Sequence, residues 1–220
     1  MINVENVSLS GCGCGDEIKF DGASAAYKRV LWAVIAINAM MFVVEMAAGT
    51  LAGSQALKAD ALDFLGDTAT YTITLLVIGR PVVWRARAAL IKGLSLGAMG
   101  LWVLGFTMYH VLIPGVPQAE IMGTIGFLAL AANMASVLLL LKYRNGDANV
   151  RSVWLCSRND AIGNLAVVAA ASGVWATKTA WPDLIVAGIM ASLFLWSSVQ
   201  IVRQALGELR TPQPVLGVAE

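Results

Sequence analysis

Three aspartates, Asp60, Asp63 and Asp67, fall within the otherwise largely apolar stretch 58–71, KADALDFLGDTATY. On a helix, Asp63 and Asp67 stack on one face with their Cβ atoms about 5–6 Å apart. Asp60 lies on nearly the same stripe. A second group follows in VRSVWLCSRNDAIGNLAVV, where Cys156 and Asp160 are again four residues apart and Asn164 continues the stripe. One carboxylate at a bilayer centre costs about 2.5–3.5 kcal/mol on insertion scales. Acids in such surroundings must therefore face a protein interior or a water-filled cavity, where a positive charge is expected to visit them. A single intramembrane Asp can serve as a helix–helix hydrogen-bonding device, and a lone Cys is more often a small buried apolar residue. Two i,i+4 pairs favour an ion or proton site instead. Three carboxylates and a thiolate suit a tetrahedral divalent metal such as Zn²⁺, and the sulfur tilts preference towards softer ions.

The elements that must position these groups are membrane helices. Of 220 residues, 58% are hydrophobic and only 13% charged, about half the charged fraction of soluble domains. The expected fold is an all-α integral membrane protein. Six stretches reach the roughly 20 residues that a spanning helix needs, at about 30–51, 55–79, 88–113, 119–141, 150–177 and 182–206. With the N-terminus inside, twelve lysines and arginines, Lys92 among them, fall on the cytoplasmic side and only Lys178 outside. The bias towards positive cytoplasmic loops therefore places both termini in the cytoplasm. Three regions result: a cytoplasmic tail 1–27, a six-helix membrane domain 28–208 and a short cytoplasmic tail 209–220. At 1.5 Å per residue, Asp67 lies roughly 18 Å and Asp160 roughly 15 Å from the cytoplasmic ends of their antiparallel spans. Both pairs then sit near the midplane and can meet there.

Other residues invite weaker readings. No cleavable leader is apparent in the polar first twenty residues. Cys12 and Cys14 lie in the glycine-flanked tail, where they read equally as two reduced thiols or as a metal-capturing tail; two thiolates make half a zinc site. Glu45, within the first span, reads as lining an access path. Asp60 and Asn164 read as supporting positions beside the main site. His110, near the outer end of span three, reads as structural. Arg158 either snorkels or pairs with an acid. The small residues Gly93, Gly97 and Gly100 permit close helix approach, within the chain or between two copies. The net charge of +1 gives no sign of a nucleic-acid partner. No activated Ser, no His base beside a nucleophile and no phosphate loop suggests an enzyme, so no catalytic residue is assigned.

The stretch 54–67, SQALKADALDFLGD, resembles the second-helix signature of the cation diffusion facilitator family, in which an Asp or His is followed four residues later by an Asp. CSRNDAIGN, 156–164, resembles its fifth-helix signature, usually His-x-x-x-Asp, and the run 181–206 resembles its last helix. The resemblance covers about residues 28–208. It implies a divalent-metal transporter in which Asp63, Asp67 and Asp160 are metal ligands and Cys156 stands where the family usually has His. It implies no resident cofactor, the metal (Zn²⁺ or Cd²⁺) being cargo. Export from the cytoplasm across the cell (inner) membrane, by alternating access around a midplane site, is expected. Metal ligands must be deprotonated, so protons are the expected exchange partner. The family usually adds a C-terminal cytoplasmic domain that helps it dimerise. This chain reads as a short member, so any homodimer rests on the transmembrane helices. The rival readings are a proton-coupled exporter of organic cations and a metal-sensing membrane subunit that moves nothing.

Overall fold

A computed structural model describes residues 24–77, 82–113, 115–145 and 148–210. Cys12, Cys14 and most of both tails lie outside the described residues. The described chain is helical throughout: α1 (Ala25–Ala52), α2 (Gln55–Val77), α3 (Val82–Leu112), α4 (Ala119–Leu140), a 3-10 turn (Leu141–Tyr143), α5 (Ala148–Thr177) and α6 (Trp181–Arg210).

Local chemistry sets the helix ends. The Ser24 hydroxyl accepts the Tyr27 N–H at 3.2 Å and caps α1. Gly53 closes α1 in the left-handed region, at φ 68°, where a Cβ would be strained. The Gly53 and Ser54 N–H groups turn back onto the Thr50 and Gly49 carbonyls, satisfying acceptors that the helix end leaves free. Ser54 then caps α2, accepting the Leu57 N–H at 3.0 Å. The result is a tight α1–α2 hairpin. The Gln118 N–H donates to the Ala52 carbonyl at 3.0 Å and ties the start of α4 to the same place. Helices α1, α3 and α5 run towards this Gly53 end, and α2, α4 and α6 return towards the end marked by Tyr27.

Helices α1, α2, α4 and α5 pack into one group, while α3 and α6 pair and lean against α2 and α5. The pairing of α3 and α6 settles where the glycines of α3 point. A Cβ on Gly93 would meet Val202 at 2.9 Å, one on Gly97 would meet the Ser198 hydroxyl at 2.6 Å, and one on Gly100 would meet Leu195 at 3.0 Å. The Ser198 hydroxyl donates to the Gly93 carbonyl at 2.7 Å. The small-residue stripe is thus consumed by close packing within the chain.

Among the described residues, four helical segments are long and apolar enough to cross a membrane: Ala25–Ala52, Ala89–Leu112, Ala119–Tyr143 and Trp181–Gly207. Their outer surfaces carry exposed Leu51, Leu112, Leu138, Ile189 and Trp196, apolar side chains that suit a lipid surround. Helices α2 and α5 match them in length, at 23 and 30 residues, but carry the acidic groups that dilute their hydropathy. Between the helices, Tyr27, Leu31, Val34, Tyr71, Leu140 and Val153 form a core at the Tyr27 end. A larger one including Leu57, Met122, Val174 and Phe194 extends towards the Gly53 end.

Candidate cation site

The helical spacing places Asp63 and Asp67 on one face of α2, and Cys156 and Asp160 on one face of α5. These faces meet: all four side chains line a single cavity of about 380 Å³ between α2, α3, α5 and α6. The Asp160 carboxyl shares this cavity with the Asp63 and Asp67 carboxyls, and its buried Oδ2 has no hydrogen-bond partner. The Cys156 thiol is free and half-buried. Helix α6 closes the far wall with Met190, Phe194 and Ser197. Among the described residues, no three Asp, Glu, Cys or His side chains are drawn together into a closed metal-holding group. They share a cavity rather than a cage. Mutual repulsion opposes bringing carboxylates together, and a cation between them reverses that balance.

Two residues join this site that the sequence reading did not place there. Tyr71, fully buried on α2, donates its hydroxyl to the Asp67 carboxylate and meets the Ser157 hydroxyl of α5 at 3.2 Å. Its spacing of four residues from Asp67 was the available signal. Lys92 lines the cavity from α3. By charge position alone it counts only as one of the residues on the cytoplasmic side. In fact α3 begins at Val82, so Lys92 sits in its third turn.

The cavity reaches from Asp63 past Asp67, Thr70 and Cys156 to Ile201, towards the Tyr27 end. The Gly53 end is bound together by polar contacts instead. The carboxylate of Asp183, in the first turn of α6, is 1% exposed. It accepts the Ser54 hydroxyl at 2.6 Å and the Gln55 and Ala56 N–H groups at 2.8 and 3.0 Å. It therefore caps α2 from a different helix. The Gln55 side-chain amide donates to His110 Nε2 at 3.4 Å while Nδ1–H of His110 donates to the Phe106 carbonyl at 2.8 Å, which brings α3 into the same cluster.

The remaining candidates lie elsewhere. Asp60 is 2% exposed and faces Glu45, which is fully buried on α1; neither lines the cavity. Asn164 is fully buried with both side-chain amide atoms unpartnered, as are the side-chain oxygens of Asn38 and Asn133. Arg158 points away from the carboxylates. Its guanidinium stands 5.4 Å from the centre of the Trp154 ring and donates to Asn159 Oδ1 at 3.3 Å.

Comparison with known proteins adds to this geometry. The cation efflux transmembrane domain family matches residues 31–80 and 84–210. The zinc transporter ZitB of Escherichia coli (strain K12) is 29% identical over 210 residues, covering 88% of this chain and 66% of that protein. The metal cation efflux system protein CzcD of Cupriavidus metallidurans is 26% identical over 183 residues, covering 77% of this chain and 56% of that protein. The chain thus spans somewhat under two-thirds of the length of these relatives. Their names carry transport and efflux, not catalysis.

Proposed function

The chain belongs to the cation efflux family, and on that premise we propose that it exports a divalent metal of the Zn²⁺ or Cd²⁺ type from the cytoplasm in exchange for protons. In this reading all six helices span the cell (inner) membrane, with both termini in the cytoplasm, and any homodimer contact is made through membrane helices. The observation that carries the proposal is the convergence of Asp63, Asp67, Cys156 and Asp160 on one cavity, from two helices whose sequences place them about 90 residues apart. The metal is the substrate, and no resident cofactor is invoked.

The cavity reaches towards the Tyr27 end, which this reading assigns to the cytoplasm. Metal enters there and replaces protons on the carboxylates and the thiol, because each ligand binds metal in its deprotonated form. Rearrangement of the helices then exposes the same groups to the opposite side. Opening that side requires release of the Asp183, Ser54 and His110 contacts. Reprotonation there weakens the site and frees the metal.

Flux of Zn²⁺ and Cd²⁺ into proteoliposomes under an imposed pH gradient tests the reading. Wild-type protein should transport, transport should follow the gradient, and Asp160→Asn should abolish it while eluting as folded protein. Wild-type flux in Asp160→Asn, or flux indifferent to the gradient, would refute the mechanism.

A further inference from the structure

A cavity built to receive a cation already contains one: the ammonium of Lys92 shares its wall with Asp63, Asp67, Cys156 and Asp160. Lys92 stands on α3, whereas the acids stand on α2 and α5, so no helical repeat dictates the meeting. It follows from α3 lying across α2 and against α6. The positive charge of Lys92 acts on Asp63, Asp67 and Cys156. Among the described residues, no other basic side chain lines this cavity. Arg158, the basic residue nearest in sequence to Asp160, turns outward onto Trp154.

We propose that Lys92 is the internal counter-ion of the transport cavity, lowering its net negative charge and holding metal affinity low enough for release. The proposal rests on the metal-transport reading above and adds a residue that governs specificity by charge rather than by ligation. Three ionised carboxylates and one thiolate carry four negative charges, and one ammonium together with one divalent ion offsets three of them. A loaded site closer to neutral is the one a low-dielectric protein interior tolerates better while helices rearrange around it. A monovalent ion leaves two negative charges on the loaded site, and so does a divalent ion in the absence of Lys92. The flexible four-carbon stem lets the ammonium approach the carboxylates when metal is absent and withdraw when it binds.

The experiment measures Cd²⁺ and Zn²⁺ binding to the purified full chain by calorimetry, together with flux in proteoliposomes. Lys92→Met keeps the length of the side chain and removes the charge. It should tighten binding of both ions by about tenfold or more, since a repelling charge near a divalent ion has gone, and should slow flux because release is slower. Lys92→Arg should bind as wild type does. In Lys92→Ala, methylammonium should weaken Cd²⁺ binding again, while leaving wild type unaffected. A merely structural role for Lys92 would give weaker binding or none, never tighter binding. If Lys92→Met does not yield folded protein, Lys92→Gln carries the same expectation. Unchanged or weakened affinity in a folded neutral variant, with wild type transporting metal normally, overturns the counter-ion and leaves the transport reading standing. Failure of the wild type itself to bind either ion overturns both.

Discussion

Asp183→Ala is expected to be the most damaging single change at the Gly53 end. The Asp183 carboxylate accepts three hydrogen bonds, at 2.6, 2.8 and 3.0 Å, two of them from the backbone at the start of α2. Hydrogen bonds to a charged acceptor contribute about 1.5–3 kcal/mol each, and a buried donor left without a partner costs about 1–3 kcal/mol. The three bonds share one acceptor and cannot simply be summed, and Ser54 continues to cap Leu57. A loss of about 3–5 kcal/mol is therefore the reasoned expectation. For a chain of this size, that lowers the melting temperature by at least about 6 °C. Asp183→Asn keeps one acceptor oxygen and should lose about half as much. Thermal unfolding in detergent, followed by circular dichroism, provides the measurement. Ser54→Ala supplies a second leg. Because Ser54 and Asp183 belong to one network, the double variant should lose clearly less than the two singles together. A melting temperature for Asp183→Ala within about 2 °C of wild type, or strict additivity with Ser54→Ala, would show that the clamp does not hold the end together.

Three further outcomes are expected. Cys156→Ser should weaken Cd²⁺ binding more than Mn²⁺ binding, because the thiolate is the one soft donor in the cavity; equal losses would remove the thiol from the ligand set. Bound Cd²⁺ should also slow alkylation of Cys156 once Cys12 and Cys14 are replaced by Ser. Metal binding should release protons and weaken as pH falls, since protons compete for the same carboxylates and thiol; calorimetry in buffers of different ionisation enthalpy reads the proton count, and zero protons released would contradict exchange. Gly97→Ala should destabilise the α3–α6 contact by about 1–3 kcal/mol, as its Cβ would stand 2.6 Å from the Ser198 hydroxyl. Adding Ser198→Ala should recover part of that loss in thermal melts, and no recovery would mean that the clash is not the cause.

Much of the site was legible in the sequence because its spacing is a local property. An i,i+4 pair on a helix shares a face wherever the helix packs, so Asp63 with Asp67 and Cys156 with Asp160 could be paired from the sequence alone. The apolar composition and the resemblance to the cation diffusion facilitators brought the two pairs into one hypothesis, and the match to the cation efflux domain supports that family. The break between α1 and α2 was also readable, since the expected spans 30–51 and 55–79 leave Gly53 and Ser54 between them. What hydropathy could not decide is whether the acid-bearing α2 and α5 span a membrane, because the groups that make them interesting also lower their apolar score.

Tertiary structure decided which faces meet. Lys92 counts in the sequence only as a charge on the cytoplasmic side, and it is the packing of α3 against α2 and α6 that makes it a wall of the cavity. Arg158 sits between Cys156 and Asp160 in sequence, and the folded chain shows its guanidinium set against Trp154 rather than paired with an acid. The glycines of α3 could have served either contact, and only the position of α6 shows which contact they serve. Asp183 caps a helix 128 residues away, a pairing with no periodicity to announce it. Helical periodicity fixes what shares a face along one helix, but contact between helices depends on how all of them pack at once, so these four assignments waited on the fold.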